Sequence, residues 1–109
     1  MIGTDLANVQ VWVATTPVDM RKSFDGLAEV VRSFLGRDPL CGHLFVFRNK
    51  RGHLVKVLWW DQDGLAIYYK RLEEGEFRFP KAGTPVVEIN CEQLLQLLSG
   101  REVKARRGG

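Results

Sequence analysis

Residues 44–72 read LFVFRNKRGHLVKVLWWDQDGLAIYYKRL, three runs of apolar, largely β-branched and aromatic side chains divided by two polar turns. The runs are Leu44–Phe47, Leu54–Trp60 and Leu65–Leu72, and the turns between them hold asparagine, aspartate and glycine, which favour chain reversal. Strands joined by such short turns pair antiparallel. This stretch therefore predicts an antiparallel β-meander.

The segments on either side add two helices and further strands. Residues 9–14 alternate as a strand does, and residues 23–35 carry an apolar stripe at helical spacing behind a serine that can cap a helix. Beyond the meander, Phe77–Phe79 and Val86–Ile89 are predicted as short strands, and residues 90–98 as a short helix with a capping pair at its start. The predicted fold class is α+β: an antiparallel β-meander sheet of about five or six strands, with one longer and one short α-helix packed on it.

Length and charge indicate one domain followed by a basic tail. The 109 residues, 45% hydrophobic and 27% charged, suit a single globular domain with a modest core, which we expect to occupy residues 1–100. Residues 101–109 hold four basic side chains and one acidic one, which accounts for the formal net charge of +3. We expect this tail to be disordered, serving either solubility or contact with a phosphate backbone.

The sequence also indicates a cellular compartment. No stretch approaches the roughly 20 apolar residues of a membrane span, and the first residues lack the pattern of a secretion signal. The two isolated cysteines fit a reducing environment. We therefore expect a cytoplasmic protein that does not contact a membrane.

A cluster of basic side chains is predicted at one end of the meander. We expect Arg48 to pair with His53 across the first turn and Trp60 with Leu65 across the second. These registers bring together six basic residues, namely Arg48, Lys50, Arg51, Lys56, Lys70 and Arg71. The cluster either binds nucleic acid or an acidic partner, or is a set of solvated turn residues neutralised by the glutamates of residues 73–76.

Both faces of the predicted sheet are apolar. Two helices can cover one face of a sheet this size, so either other segments wrap over the second face or part of it meets another protein, including a second copy of the chain. The pairs Trp59–Trp60 and Tyr68–Tyr69 each divide between the faces. Their rings either pack in the core or stack on bases of single-stranded nucleic acid.

Catalytic patterns are few. The chain lacks the serine-nucleophile, phosphate-loop, zinc-protease and dinucleotide-binding motifs. Asp61 and Asp63 are of the type that holds metal ions for phosphodiester cleavage, although DQDG between two strands is also typical of a tight turn. His43 and His53 lie too far apart in the predicted register to share a zinc ion. We expect no enzymatic activity, no metal and no cofactor, with a metal-dependent nuclease using Asp61 and Asp63 as the alternative.

Three strings, in order, point to a known family. They are TPVDMRK at residues 16–22 leading into FDGL, LFVFR at residues 44–48, and VLWWD at residues 57–61 followed by DG and YKRLE. Together they resemble the TnpB-type accessory protein, the second small reading frame, of the insertion-sequence-66 transposon family, from about Val9 to about Leu98. The resemblance implies a bacterial protein needed for transposition beside a separate, larger transposase that cuts and joins DNA. It carries over no catalytic residue.

The sequence thus predicts a non-catalytic accessory protein for transposition that binds DNA, the transposase, or both. Its candidate contacts with phosphates or an acidic partner are Arg21, Lys22, Arg48, Lys50, Arg51, Lys56, Lys70 and Arg71. Arg21 has a second interpretation, since it can pair with Asp19 or Asp25 and hold the entrance to the first helix. A protein-only assembly factor that binds the transposase through an apolar face, and a homo-oligomer, stay open.

Overall fold

The computed structural model of the protein describes residues 8–100, and the predicted tail of residues 101–109 lies outside them. These residues form one five-stranded sheet and two helices. The elements are β1 (Val11–Ala14), α1 (Phe24–Ser33), β2 (Leu44–Arg48), β3 (Leu54–Asp61), β4 (Gly64–Arg71), β5 (Val86–Ile89) and α2 (Cys91–Leu98). The strand order across the sheet is β4-β3-β2-β1-β5.

The α+β class is confirmed, but the prediction of an antiparallel sheet is wrong at one pair of strands. β2, β3 and β4 form the predicted antiparallel meander, and β5 lies antiparallel to β1. β1, however, runs parallel to β2. The reason is the helix between them: α1 carries the chain back so that β2 begins at the same end of the sheet as β1, as strand–helix–strand units do.

One of the two predicted hairpin registers is confirmed, and the other is wrong by two residues. Trp60 pairs with Leu65 as expected. Arg48, however, pairs with Val55 rather than with His53. Because the side-chain period of a strand is two, this shift leaves every side chain on its predicted face.

The predicted strand at Phe77–Phe79 does not form. Phe77 donates its N–H to the Gly52 carbonyl at 2.7 Å, but the segment pairs with no strand of the sheet, and Pro80 has no N–H to donate. Phe77 is nevertheless buried, because its ring enters the core. The segment is therefore anchored by one hydrogen bond and one ring rather than by a ladder.

The chain itself covers both faces of the sheet. On one face α1 contributes Leu27, Ala28 and Val31 to a core with Phe45 and Leu58. On the other face, α2 and the segment from 72 to 82 cover the valines of β1 to β3. The second face therefore does not require another protein, and the oligomeric state stays a prediction.

The helix ends show how far local signals decide structure. In α2 the predicted capping pair forms, with the Asn90 side chain accepting from the Gln93 N–H and the Gln93 side chain accepting from the Asn90 N–H. At α1, Ser23 occupies the capping position without a side-chain hydrogen bond. Phe24 and Phe34, predicted in the buried stripe of this helix, are about half exposed because they lie at its two ends.

Candidate nucleic-acid interface

The turn between β2 and β3 is held from inside by Asn49. Its side-chain oxygen accepts from the N–H groups of Gly52 and Leu54, both at 3.0 Å, so one amide closes the whole turn. Gly52 adopts a left-handed backbone with φ of 85°, which glycine tolerates best. Asn49 and Gly52 thus face the inside of the turn, whereas Lys50 and Arg51 are exposed at its tip.

The segment TPVDMRK lies against the same end of the sheet and is fixed there by Lys56. The Lys56 ammonium donates to the carbonyls of Met20 and Lys22 at 2.7 and 2.8 Å. This lysine is only 7% exposed. Its ammonium also lies 4.6 Å from the ring centre of Tyr69, its neighbour on β4. One buried cation thus ties a loop, a strand and an aromatic ring together.

Asp19 and Arg21 form a two-point ion pair within that segment. Arg21 donates from Nε and Nη2 to the carboxylate, the shortest contact being 2.7 Å, and its backbone N–H donates to Oδ1 at 2.9 Å. The Arg21 side chain and then its backbone N–H lower the pKa of Asp19 to about 2. Of the two interpretations of Arg21, pairing with Asp19 is therefore present in the structure, with the guanidinium still largely exposed.

Two grooves flank the tip of the β2–β3 turn. The first, here called the Phe79 groove, has a volume of about 470 Å³ and is lined by Thr15, Thr16, Arg48, Lys50, Gly52 and residues 76–82. The second, here called the Tyr69 groove, has a volume of about 930 Å³ and is lined by residues 17–21, residues 49–51, His53, Leu54 and Tyr69. Lys50 lines both grooves, so the tip of the turn separates them.

The eight candidate cations divide by their partners. Among residues 8–100, the side chains of Lys22, Lys50 and Arg51 make no hydrogen bond or ion pair, and all three are exposed. The other five have partners within the chain. They are Lys56, already described, Arg21 with Asp19, Arg71 with Glu73, Lys70 with the Leu98 carbonyl and Arg48 with the Thr15 carbonyl.

The structure also decides which candidates come together. Arg21, Lys50 and Arg51 share the Tyr69 groove, and Arg48 and Lys50 share the Phe79 groove. Lys70 instead donates to the Leu98 carbonyl at the end of α2, on the face of the sheet opposite Tyr69. Lys22, Lys56, Lys70 and Arg71 line neither groove.

Comparison with known proteins assigns this sequence to a family. A sequence profile described as IS66 Orf2 like protein matches residues 9–108. The chain belongs to the IS66 Orf2-like family. This confirms the resemblance predicted from TPVDMRK and VLWWD, and the match runs beyond Leu98 into the basic tail that the resemblance left out. The family is associated with transposition as an accessory component.

Two relatives of this IS66 Orf2-like protein come from one bacterium, Sinorhizobium fredii (strain NBRC 101917 / NGR234). The uncharacterized protein y4hO is 46% identical over 93 residues, which cover 85% of this chain and 81% of the relative. The uncharacterized protein y4jC is 38% identical over 100 residues, covering 92% and 85%. No solved structure matches this chain.

The signature strings of this IS66 Orf2-like protein are now explained by their contacts. TPVDMRK supplies the ion pair of Asp19 with Arg21 and the two carbonyls that Lys56 binds. In VLWWDQDG, the Asp61 backbone carbonyl accepts from the Asp63 N–H at 2.6 Å, and Gln62 between them has φ of 59°. This is a tight turn of the γ type. The two aspartates thus flank a turn.

Metal chemistry receives no support within the described part of the chain. Residues 8–100 contain no group of three or more histidine, cysteine or carboxylate side chains that could hold a metal ion. His43 accepts from the Gln10 N–H, and His53 contacts the Asn49 amide.

Within residues 8–100, neither helix is long and apolar enough to cross a membrane.

Sequence reasoning missed two cations of the site. Arg78 and Lys81 are exposed and line the Phe79 groove. The alternation of Phe77, Arg78 and Phe79 could have indicated Arg78, since it turns the Phe77 ring inward and the cation outward, whereas no such pattern includes Lys81. No sequence signal indicates the role of Lys56, because its carbonyl partners lie more than thirty residues away along the chain.

The Asp19–Arg21 pair gives a pH-dependent prediction. The pKa of Asp19 in the folded protein lies below the ordinary value of 3.8. The ion pair therefore stabilises the fold above about pH 4, and that contribution is lost as the pH falls through about 2. We expect a carboxyl NMR titration to place the Asp19 midpoint near 2, and Arg21→Gln to raise it towards 3.8. Arg32→Gln, on α1, should leave the midpoint where it is. An Asp19 midpoint near 3.8 in the unmodified protein would contradict the pair.

Proposed function

We propose that this protein is a non-catalytic accessory protein for transposition of an IS66-type element, and that it holds DNA by its phosphate backbone. The contact surface is the basic rim, defined as the exposed cations that line the two grooves: Arg21, Lys50, Arg51, Arg78 and Lys81. One observation carries the proposal. Lys50 and Arg51 are exposed at the tip between the grooves and have no partner among the described residues.

The local charge balance supports an anionic ligand. The Phe79 groove has four cationic side chains and one carboxylate, that of Glu76. The Tyr69 groove has three cations and one carboxylate, Asp19, which Arg21 already neutralises. Cations without internal partners keep their full attraction for phosphates, and binding releases the counterions condensed on DNA.

The rim also suggests what is recognised. Contacts with phosphates position a protein on DNA without reading its sequence. We expect similar affinity for a duplex with the terminal inverted repeat of the element and for a scrambled duplex. The transposase of the same element is the proposed partner on that DNA, since the family is associated with transposition.

Neutralising the tip tests this proposal. In Lys50→Gln/Arg51→Gln we expect duplex binding at 0.1 M salt to weaken by about tenfold to fiftyfold. The slope of log K against log salt should become shallower by about two units, because two phosphate contacts are lost. Fluorescence anisotropy of a labelled duplex across a salt series measures both.

Arg32→Gln/Arg37→Gln is the control for net charge, although Arg32 pairs with Glu29 and Arg37 stacks on the Trp12 ring. It removes the same charge from the region of α1, away from both grooves. We expect it to leave the slope within half a unit of that of the unmodified protein, a margin on the order of half of one phosphate contact. Equal effects of the two double variants would show that binding depends only on the net charge of the protein. An unchanged slope in the tip variant would show that Lys50 and Arg51 do not contact DNA.

A further inference from the structure

The Tyr69 groove differs from the Phe79 groove in having an exposed aromatic ring. Tyr69 is 53% exposed, although it lies on a strand at a position directly opposite a buried lysine. The groove wall beside it is apolar, with Pro17, Val18 and Leu54. A ring left open to solvent in such a groove offers a flat surface for another flat group.

The ring is also held in place. The Lys56 ammonium lies 4.6 Å from its centre, and hydrogen bonds to two loop carbonyls fix that ammonium in turn. Rigid aromatic side chains bind at lower entropic cost than mobile ones, because less motion is lost on binding. Tyr69 is therefore preorganised although its ring is half exposed.

Cations border the same groove. Arg21, Lys50 and Arg51 all line it. Phosphate groups flank every base of a single strand, so a ring with cations around it matches one unstacked nucleotide and its neighbouring phosphates. A duplex does not offer this match, because its bases are stacked on one another. The combination of apolar wall, open ring and cationic border favours a nucleotide over an apolar peptide.

We propose that the Tyr69 groove binds single-stranded DNA, with an unpaired base stacked on Tyr69 and its phosphates held by Arg21, Lys50 and Arg51. This inference rests on the proposed function, which it deepens by naming the form of DNA that fits one of the two grooves. Tyr69 contributes stacking, and the cations contribute the salt-dependent part of binding.

Removing the ring is the first test. In Tyr69→Leu we expect binding of a labelled oligo(dT) to weaken by about fivefold to a hundredfold, the range for loss of one stacked base. The salt slope and the affinity for duplex should not change, because no phosphate contact is lost. Tyr69→Phe keeps the ring and should stay within about twofold of the unmodified protein, a difference of roughly 0.4 kcal/mol.

Tyr68→Leu is the matched control. Tyr68 is the adjacent residue on β4, is also exposed, and by strand alternation faces the opposite side of the sheet. We expect no change in DNA binding. Far-UV circular dichroism and melting temperature verify that every variant is folded.

A probe without bases separates stacking from charge. An abasic oligonucleotide of the same length keeps all phosphates, so the unmodified protein should bind it as weakly as Tyr69→Leu binds oligo(dT). Tyr69→Leu should bind the two probes equally.

Three results would overturn the inference. They are unchanged oligo(dT) affinity in Tyr69→Leu, an equal loss of duplex affinity in that variant, and loss of transposase binding with DNA binding intact, which would assign the groove to a protein. The proposed function fails separately, through an unchanged salt slope in Lys50→Gln/Arg51→Gln.

Discussion

Replacing Lys56 with methionine is expected to lower the free energy of unfolding by between about 2 and 4 kcal/mol. The ammonium makes two hydrogen bonds to carbonyls and lies under the Tyr69 ring, and charged hydrogen bonds of this kind contribute more than neutral ones. Methionine keeps the apolar stem of the side chain, so the change isolates the cation. Urea denaturation followed by tryptophan fluorescence measures the loss.

Lys50→Met is the control for that measurement. Lys50 is exposed and has no partner within residues 8–100, so its replacement should change stability by less than about 0.5 kcal/mol. A Lys56→Met protein as stable as the Lys50→Met protein would show that the loop of residues 16–22 is held by other contacts.

The Gly52→Ala variant is expected to lose about 2–3 kcal/mol of stability. Its φ of 85° is unfavourable for any residue with a Cβ atom. A Cβ at this position would also lie 3.1 Å from Glu76 Oε2 and 3.3 Å from Glu76 Cβ. The carboxylate can move away. Glu76 Cβ is held in place, because the N–H of the next residue, Phe77, donates a hydrogen bond to the Gly52 carbonyl.

Gly36→Ala separates the two causes. Gly36 has φ of 67° but nothing within 4 Å of an added Cβ, so it carries the backbone cost alone, about 1 kcal/mol. The difference between the two alanine variants, measured by urea denaturation, gives the cost of the contact with Glu76. Equal losses would mean that residues 76–82 adjust freely, and the Phe79 groove would then lack a fixed wall.

The parts of the fold that depend on neighbouring residues were predicted correctly from the sequence. The meander followed from apolar runs and turn residues, and the start of α2 followed from the capping pair of Asn90 and Gln93. The parity of the strands was also correct, since a two-residue error in register preserves the faces. That error arose because the Asn49 side chain closes a turn that takes up two more residues, His53 and Leu54, than expected.

Contacts between residues far apart along the chain could not be predicted from the sequence. Nothing local shows that Val11 pairs with Leu44 in parallel, or that the Lys56 ammonium finds the carbonyls of Met20 and Lys22. The same physical reason applies to the candidate site. The basic residues could be collected by turn geometry, but their division into partnered and unpartnered cations depends on which acceptors the folded chain brings within reach.

The place of β1 in the sheet has a consequence for folding kinetics. Its two neighbours, β2 and β5, come from distant parts of the chain, with Ala14 facing Val86 at the β5 edge. Such high contact order slows folding, because loop closure must precede the stabilising contacts. During synthesis the β2–β4 hairpins can form early and β1 can pair with β2, but the second edge of β1 stays unpaired until β5 has been made. A nascent or truncated chain that ends before Val86 would expose an open strand edge beside an uncovered apolar face, the combination that promotes aggregation.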